Sequence, residues 1–358
     1  MKVLIGTSKG LIVYEILPHI EPKELAIHFL GFSVSMIFAD LHTHRWWVGI
    51  MHRHWGQKLH YSDDQGVSWV EARLPSYHGF KMVNGTPAKL KEIWSMKHGG
   101  GYPGKLWLGT EPGGLFSSTD GGVSFELNEP LWYHASRQKE GQWFGAGSNY
   151  PFIHSIEVNP HNSNHIYVAI SCAGIFESLD NGASWAPKNE GLLATYLPNP
   201  HVEVGQDPHQ LLIHPDSPNV LWQQNHCGIY FTKNGGKLWK EVFLKKGKSS
   251  YGFSIVLDEK NAGRSWVIPV ESDQRRISPH LKLEVFETSD FGHSWESVSR
   301  GLPTTNTFDI VLRKSFKRKD NFMIFGTTNG NLFYTLDKNP YWRLISSHLT
   351  KVNVIDIV

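Results

Sequence analysis

The sequence predicts an all-β protein, a seven-bladed β-propeller whose last blade joins N-terminal strands to a C-terminal strand. Three observations carry this. An eight-residue pattern recurs roughly every fifty-odd residues, the mark of one supersecondary unit copied along the chain. Each copy sits between short strand-like runs. The two chain ends, left over once the copies are assigned, supply three strands and one strand, enough for a further blade.

The pattern begins as Ser62-Asp63-Asp64-Gln65-Gly66-Val67-Ser68-Trp69. It returns from Ser118 to Phe125 and from Ser178 to Trp185, and weaker copies end at Trp239, Trp295 and Trp342. Ser or Thr, Asp and Gly between β-rich segments are hairpin chemistry: the carboxylate accepts turn N–H groups and Gly takes the positive φ. The closing aromatic residue is a large apolar plug between neighbouring sheets. Each carboxylate is committed to its own turn, so the octet itself is structural.

Spacing then assigns an inner and a second strand ahead of each octet. Blade one takes Ser33–Phe38 and Trp46–Ile50, blade two Glu92–Met96 and Lys105–Gly109, and blade three Phe152–Val158 and His165–Ile170. Blade four takes His209–His214 and Val220–Gln224, blade five Phe253–Leu257 and Ser265–Val270, and blade six Phe308–Leu312 and Phe322–Thr327. Lys2–Gly6, Leu11–Ile16 and Glu24–Phe29 join Val352–Val358 in blade seven. Closing the ring removes the exposed sheet edges that invite aggregation. The whole chain, 1–358, is expected to be a single propeller domain.

The octet resembles the Asp-box, or BNR, repeat (Ser-x-Asp-x-Gly-x-Ser/Thr-Trp), and the resemblance runs along nearly the whole chain. It implies likeness to sialidases, xyloglucanase-type glycosidases, sortilin-type receptors and photosystem II assembly factors. The nearest likeness is to bacterial BNR proteins described as sialidase-like or glycosyl hydrolase-like. A shared fold does not carry a shared reaction.

A formal charge of +2 over 358 residues gives no polyanion-binding signal, so no nucleic-acid partner is expected. The basic stretch Lys314–Lys319 reads as a solvated loop. No apolar run is long enough to span a membrane. The segment from Met1 to Gly6 runs straight into a strand without the features of a signal peptide, and two cysteines are too few for a disulfide scaffold; a cytoplasmic location is expected.

In a propeller, the links from second to third strand and from outer strand to the next blade share one face, opposite the octets. The long insertions 75–91, 127–150, 191–208 and 272–280 nearly all fall on that face, where a rigid ring builds a binding site. There His54, Glu111, His154, His209, His226 and Glu271 are expected to converge at the channel mouth, with Arg53, Gln210, Gln224, Asn225 and Asp273 nearby.

Three readings of these residues stay open. His154, His209 and His226 with a carboxylate suit a divalent transition metal. His and Glu also serve as a metal-free acid and base near neutral pH. Alternatively, each imidazole satisfies a buried backbone carbonyl. Cys172 and Cys227 occupy nearly equivalent places in adjacent blades, and the small buried thiol is the usual reading.

True sialidase activity is excluded: the Phe/Tyr-Arg-Ile-Pro motif of that family is missing, and Arg276-Ile277-Ser278-Pro279 lies in the wrong blade. Other glycosidases need two carboxylates flanking a bond, for which Glu111, Glu271 and Asp273 are candidates. Trp143 and other insertion aromatics either stack on a sugar or pack the loops. The expected function is a small-molecule or glycan site with hydrolase or lyase action. The alternative is a non-catalytic scaffold that binds a protein partner.

Overall fold

Seven four-stranded antiparallel sheets follow one another along the chain in the computed structural model, which describes all residues except 140, 146, 245–247 and 337–339. The inner strands are Ser33–Ala39, Glu92–His98, Ile153–Asn159, Pro208–Ile213, Gly252–Leu257, Phe316–Lys319 and Val352–Ile357, for blades one to seven. Successive inner strands pack against each other right round the ring. In blade seven, Val352–Ile357 pairs antiparallel with Lys2–Thr7, with Ile5 opposite Ile355, so the two ends of the chain share one sheet.

Apolar residues fill the spaces between blades. Trp107 and Phe176 lie in one such cluster, Trp222 and Phe286 in another, and Trp266, Phe316 and Phe325 in a third, all almost fully buried. The octets hold the hairpins in one repeated hydrogen-bond pattern. The Ser62 hydroxyl donates to Asp64 Oδ1 (2.7 Å) and accepts from Gly66 N (2.7 Å), while Asp64 accepts from the Ser68 amide (2.9 Å) and hydroxyl (2.6 Å). Asp120, Asp180 and Asp290 repeat the pattern. These bonds hold the carboxyls of Asp64, Asp120 and Asp290 down at about 2. Asp337, of the weakest copy, lies outside the described residues.

Several closing tryptophans tie each blade to the one before. Trp239 Nε1 donates to Lys188 O (2.8 Å) and Trp342 Nε1 to Val298 O (2.8 Å).

Blade six departs from the sequence expectation. Its inner strand is Phe316–Lys319, paired with Phe322–Gly326, and 308–312 belongs to no strand. The basic stretch is therefore a strand rather than a solvated loop. Two of its charges are paired: Arg318 bonds Asp258 (2.9 Å) and Glu259, and Lys317 faces Asp356 (3.5 Å). Acids presented by the neighbouring blades make a charged inner strand tolerable, and no local pattern reveals them.

A second regularity decides what faces the channel. In five blades the inner strand carries one extra residue near its start on the insertion-bearing face: Ser35, Trp94, His154 and His209 in blades one to four, and Asn353 in blade seven. Blade five has the same irregularity across Phe253 and Ser254. A β-bulge bends the strand and re-aims a side chain. Of these residues, Ser35, Trp94, His209, Phe253 and Asn353 line a cavity at the channel mouth.

Candidate functional site

The mouth cavity holds about 440 Å³ and opens on the insertion-bearing face. A second cavity of about 350 Å³ lies below it; Arg313 and Lys314 border both, and His154 borders the lower one.

On the wall of the upper cavity three side chains come together: Asp207, His209 and His226 offer ligand atoms that all lie within 4.8 Å of one another. Asp207 ends the long insertion of blade four, which is stapled on both sides. Gly205 N donates to Ala173 O (3.0 Å), and His226 N donates to Asp207 O (2.9 Å). Asp207 Oδ1 accepts from Ser171 Oγ (2.9 Å) and Cys172 N (3.2 Å). Its other oxygen, Oδ2, faces His209 Nε2 and His226 Nδ1, each at 3.4 Å.

The tautomer of His209 follows from its other nitrogen. Nδ1 lies 2.6 Å from Gly252 O, a carbonyl that only accepts, so Nδ1 carries the proton. Burial, with the nearby Arg313 guanidinium, lowers the pKa of His209, so the ring is neutral. Its Nε2 lone pair therefore points at the Asp207 carboxylate. Against the effect of burial, that carboxyl is held well below the usual range by its surroundings, His226 and the Arg313 guanidinium among them. Two acceptors face each other, and a cation between them resolves the contact.

The two separations from Asp207, 3.4 Å each, are close to the about 3.3 Å that tetrahedral coordination with bonds of about 2.0 Å requires, and all three ligand atoms lie within 4.8 Å of one another. The Nδ1–H bond to Gly252 O is the outer contact that orients a metal-binding imidazole. Aromatic rings fix both histidines. Phe253 stacks on His209 (4.8 Å, 19°), while Tyr196 and Tyr251 meet His226 edge-on at 5.0 and 5.4 Å.

His209 and His226 thus share one site, and Asp273 reaches it, its Oδ2 lying 3.7 Å from His226 Nε2. His154 stands apart. Its Nδ1 pairs with Ser155 Oγ (2.9 Å), its Nε2 has no partner among the described residues, and it faces the lower cavity. The third ligand is Asp207 instead, two residues before His209.

The remaining candidates fall elsewhere. Glu111 is buried and accepts from Ser148 Oγ, and Glu271 pairs with Arg275 (3.7 Å). Neither lines the mouth. Arg53 and His54 are exposed on the blade-one link. Gln210 Oε1 accepts from Ile255 N (2.9 Å), and Gln224 Nε2 donates to Ser250 O (2.9 Å), so both stitch blade four to blade five. The Asn225 amide donates to Gln223 Oε1 (3.2 Å). Trp143 bonds Ser136 Oγ (3.0 Å) and packs on Phe176, which holds the insertion on the rim. Cys172 and Cys227 are both free thiols, and burial raises the pKa of each.

Two groups at the mouth had no sequence signal. Glu92 lines the cavity, and burial together with the neighbouring Glu111 pushes its carboxyl up to about 7. Arg313 and Lys314 stand at the base, from the stretch read as outside the channel.

No family model matches the chain. It is similar to an oligoxyloglucan-reducing end-specific xyloglucanase of Emericella nidulans, 23% identical over 231 residues, covering 60% of this chain and 26% of that protein. The chain thus spans about a quarter of the curated relative it matches. Among solved structures, it resembles an ancestral GH74 enzyme with a TM-score of 0.58 and 18% identity, over 87% of this chain and 38% of that one. It resembles YCF48 from Cyanidioschyzon merolae with a TM-score of 0.56 and 14% identity, over 90% and 87%. It also resembles the periplasmic gluconolactonase PpgL of Pseudomonas aeruginosa with a TM-score of 0.61 and 10% identity, over 99% and 98%. At these identities the likenesses establish the propeller fold and nothing finer.

Proposed function

We propose that the channel mouth is the active site of a metal-assisted hydrolase acting on a small, carbohydrate-like molecule. One observation carries the reading: Asp207 Oδ2, His209 Nε2 and His226 Nδ1, all atoms able to ligate a metal, converge on the wall of a cavity of small-molecule size. A transition metal bound by such a set polarises a substrate oxygen or brings a bound water toward neutral pKa. Three protein ligands leave a position open, as catalytic sites do.

The chain's own residues supply the rest. Ser171 and Cys172 N fix the Asp207 carboxylate, and Gly252 O fixes the His209 ring. Glu92 has a carboxyl that holds its proton close to neutral pH, which suits a general acid to a leaving oxygen. The xyloglucanase and gluconolactonase among the similar proteins are, by name, enzymes of sugar chemistry, which supports a carbohydrate-like ligand.

A protein-binding platform is the second reading. It is favoured by Trp55 and Tyr133, 75% and 52% exposed on links and insertions of the same face.

Elemental analysis of protein purified without chelators or an affinity metal tests the first reading. Near-stoichiometric transition metal is expected in the native chain, falling about tenfold or more in His209→Ala and His226→Ala and staying unchanged in His154→Ala. A metal-free native protein, or equal loss in all three variants, rejects it.

A further inference from the structure

Of the residues lining the mouth, Arg276, Arg313, Lys314 and Lys351 are cationic and only Glu92 and Asp207 carry carboxyls. This excess of positive charge sits in a molecule whose formal net charge is only +2. Asp207 is engaged by Ser171, Cys172 N and the two histidines, and Glu92 is only partly ionised near neutrality. Asp207 acts on Arg313 and Glu92 on Lys314 through space, but neither forms an ion pair with them among the described residues, and four cations face two carboxyls.

Arg313 is the unusual member. Its guanidinium packs against the rings of Phe152 (5.4 Å) and Phe253 (5.3 Å), which hold it in place at the partition between the two cavities. Its Nε is buried without a partner, and the group makes no hydrogen bond or ion pair among the described residues. Elsewhere in this chain buried arginines are matched: Arg318 is paired with Asp258 and Glu259, and Arg137 donates to Gly113 O (2.8 Å) and Pro112 O (2.9 Å). Arg313 as a whole is half-buried, its Nε out of contact with solvent, and a largely desolvated charge of this kind is normally paired. Lys314, beside it, likewise has no ion pair, and burial and its cationic neighbours Lys317 and Arg313 bring its pKa to about 7. Arg276 packs on the same aromatic cluster, 5.4 Å from the Phe253 ring.

We propose that the mouth binds a ligand carrying an anionic group, a carboxylate or a phosphate, which docks on Arg313 with Lys314 and Arg276 adding positive charge. A planar guanidinium held between rings presents its N–H fork in a fixed direction, the arrangement that suits bidentate binding of either anion. The inference deepens the hydrolase reading and rests on its placing the substrate in the mouth. It makes that substrate an acidic or phosphorylated carbohydrate-like molecule, with the anion anchored on blade six and the reacting bond toward Asp207, His209 and Glu92.

Thermal unfolding tests this, with sodium phosphate, sodium acetate and sodium chloride compared at matched ionic strength and pH. A bound anion stabilises the folded chain in proportion to the logarithm of its saturation. The native protein is expected to gain Tm in phosphate or acetate over chloride, and which of the two acts identifies the group. Arg313→Gln is expected to weaken the anion's apparent affinity about 10- to 100-fold, the worth of a charge-assisted pair. In chloride alone the same variant is expected to be at least as stable as the native chain, because an unpaired buried charge has gone.

Equal Tm in all three salts, an unchanged response in Arg313→Gln, or a variant destabilised in chloride each overturns the proposal. The anion series on His209→Ala separates the two readings. An intact anion response in a chain that proves metal-free leaves this inference standing and the hydrolase reading rejected; the converse result rejects this one alone.

Discussion

One extra residue in a strand decides what His209 faces. With regular alternation, its side chain and that of Gln210 would be set by the pleat; the bulge at His209 turns the imidazole to the mouth while Gln210 bonds blade five. His209 and His226 were legible from strand order, because the start of an inner strand and the second-to-third link share a rim. Asp207, Glu92 and Arg313 were not. Asp207 reads as the tail of an insertion, Glu92 as the first residue of an inner strand, and Arg313 falls between the expected inner strand of blade six and the basic stretch after it. The clearest missed signal was Asp-Pro-His at 207–209, two potential ligands on one short segment.

Glu92 also yields a prediction at this scale. Burial and Glu111 raise its pKa from 4.5 to about 7, against the opposing pull of Lys314 and Lys351. The folded state therefore holds the proton more tightly than the unfolded chain, and stability falls as pH rises from 4.5 to about 7. Glu92→Gln, which cannot ionise, is expected to match the native chain at pH below 4.5 and to exceed its stability above 7. Denaturant unfolding across that range measures the difference; a constant offset at every pH would show that ionisation is not the cause.

Among the elements, the octet was legible as hairpin chemistry because the bonds of its recurring carboxylate and hydroxyls are local, whereas closing tryptophans such as Trp239 and Trp342 reach the preceding blade. Asp120 serves Ser118, Val123 and Ser124, no more than four residues away. Hydrogen bonding lowers its carboxyl from 3.8 to about 2, so its contribution is complete above 3.8 and is lost as the pH drops toward 2. Asn234 fills the same place in blade four, its Oδ1 accepting from Leu238 N (3.1 Å) and Thr232 Oγ1 (2.7 Å). An amide oxygen therefore suffices for the turn. Asp120→Asn is expected to leave Tm nearly unchanged at pH 7, and Asp120→Ala to lower it by about 2 °C. An equal loss in both would mean that charge, rather than the acceptor, holds the hairpin. The strand Phe316–Lys319 was missed for the opposite reason: the partners of Arg318 lie about sixty residues away in sequence.

At the scale of the molecule, closure pairs Lys2–Thr7 with the last strand, Val352–Ile357, and packs both against blade one. A Cβ on Gly6 would lie 2.6 Å from Val354 Cγ1 and 2.7 Å from Val34 Cγ1, both from fully buried side chains. Gly109 meets Ile153 O at 2.6 Å in the same way, so missing side chains let adjacent blades approach. Gly6→Val is expected to cost about 1–3 kcal/mol by overpacking, seen as a lower denaturant midpoint with an unchanged slope. An unchanged midpoint would mean that the seam between first and last strands carries little of the stability.

What the sequence determined by itself was the repeat, the all-β class, the blade count and the face that bears the insertions. Each is written in contacts only a few residues long or in a period that survives copying. The tertiary structure decided which side chains share the mouth. Asp207 joins His209 and His226 through two staples, bulges aim five side chains inward, and Arg313 stands unpaired at the base. Those outcomes depend on where seven blades meet around one axis, which no local pattern encodes.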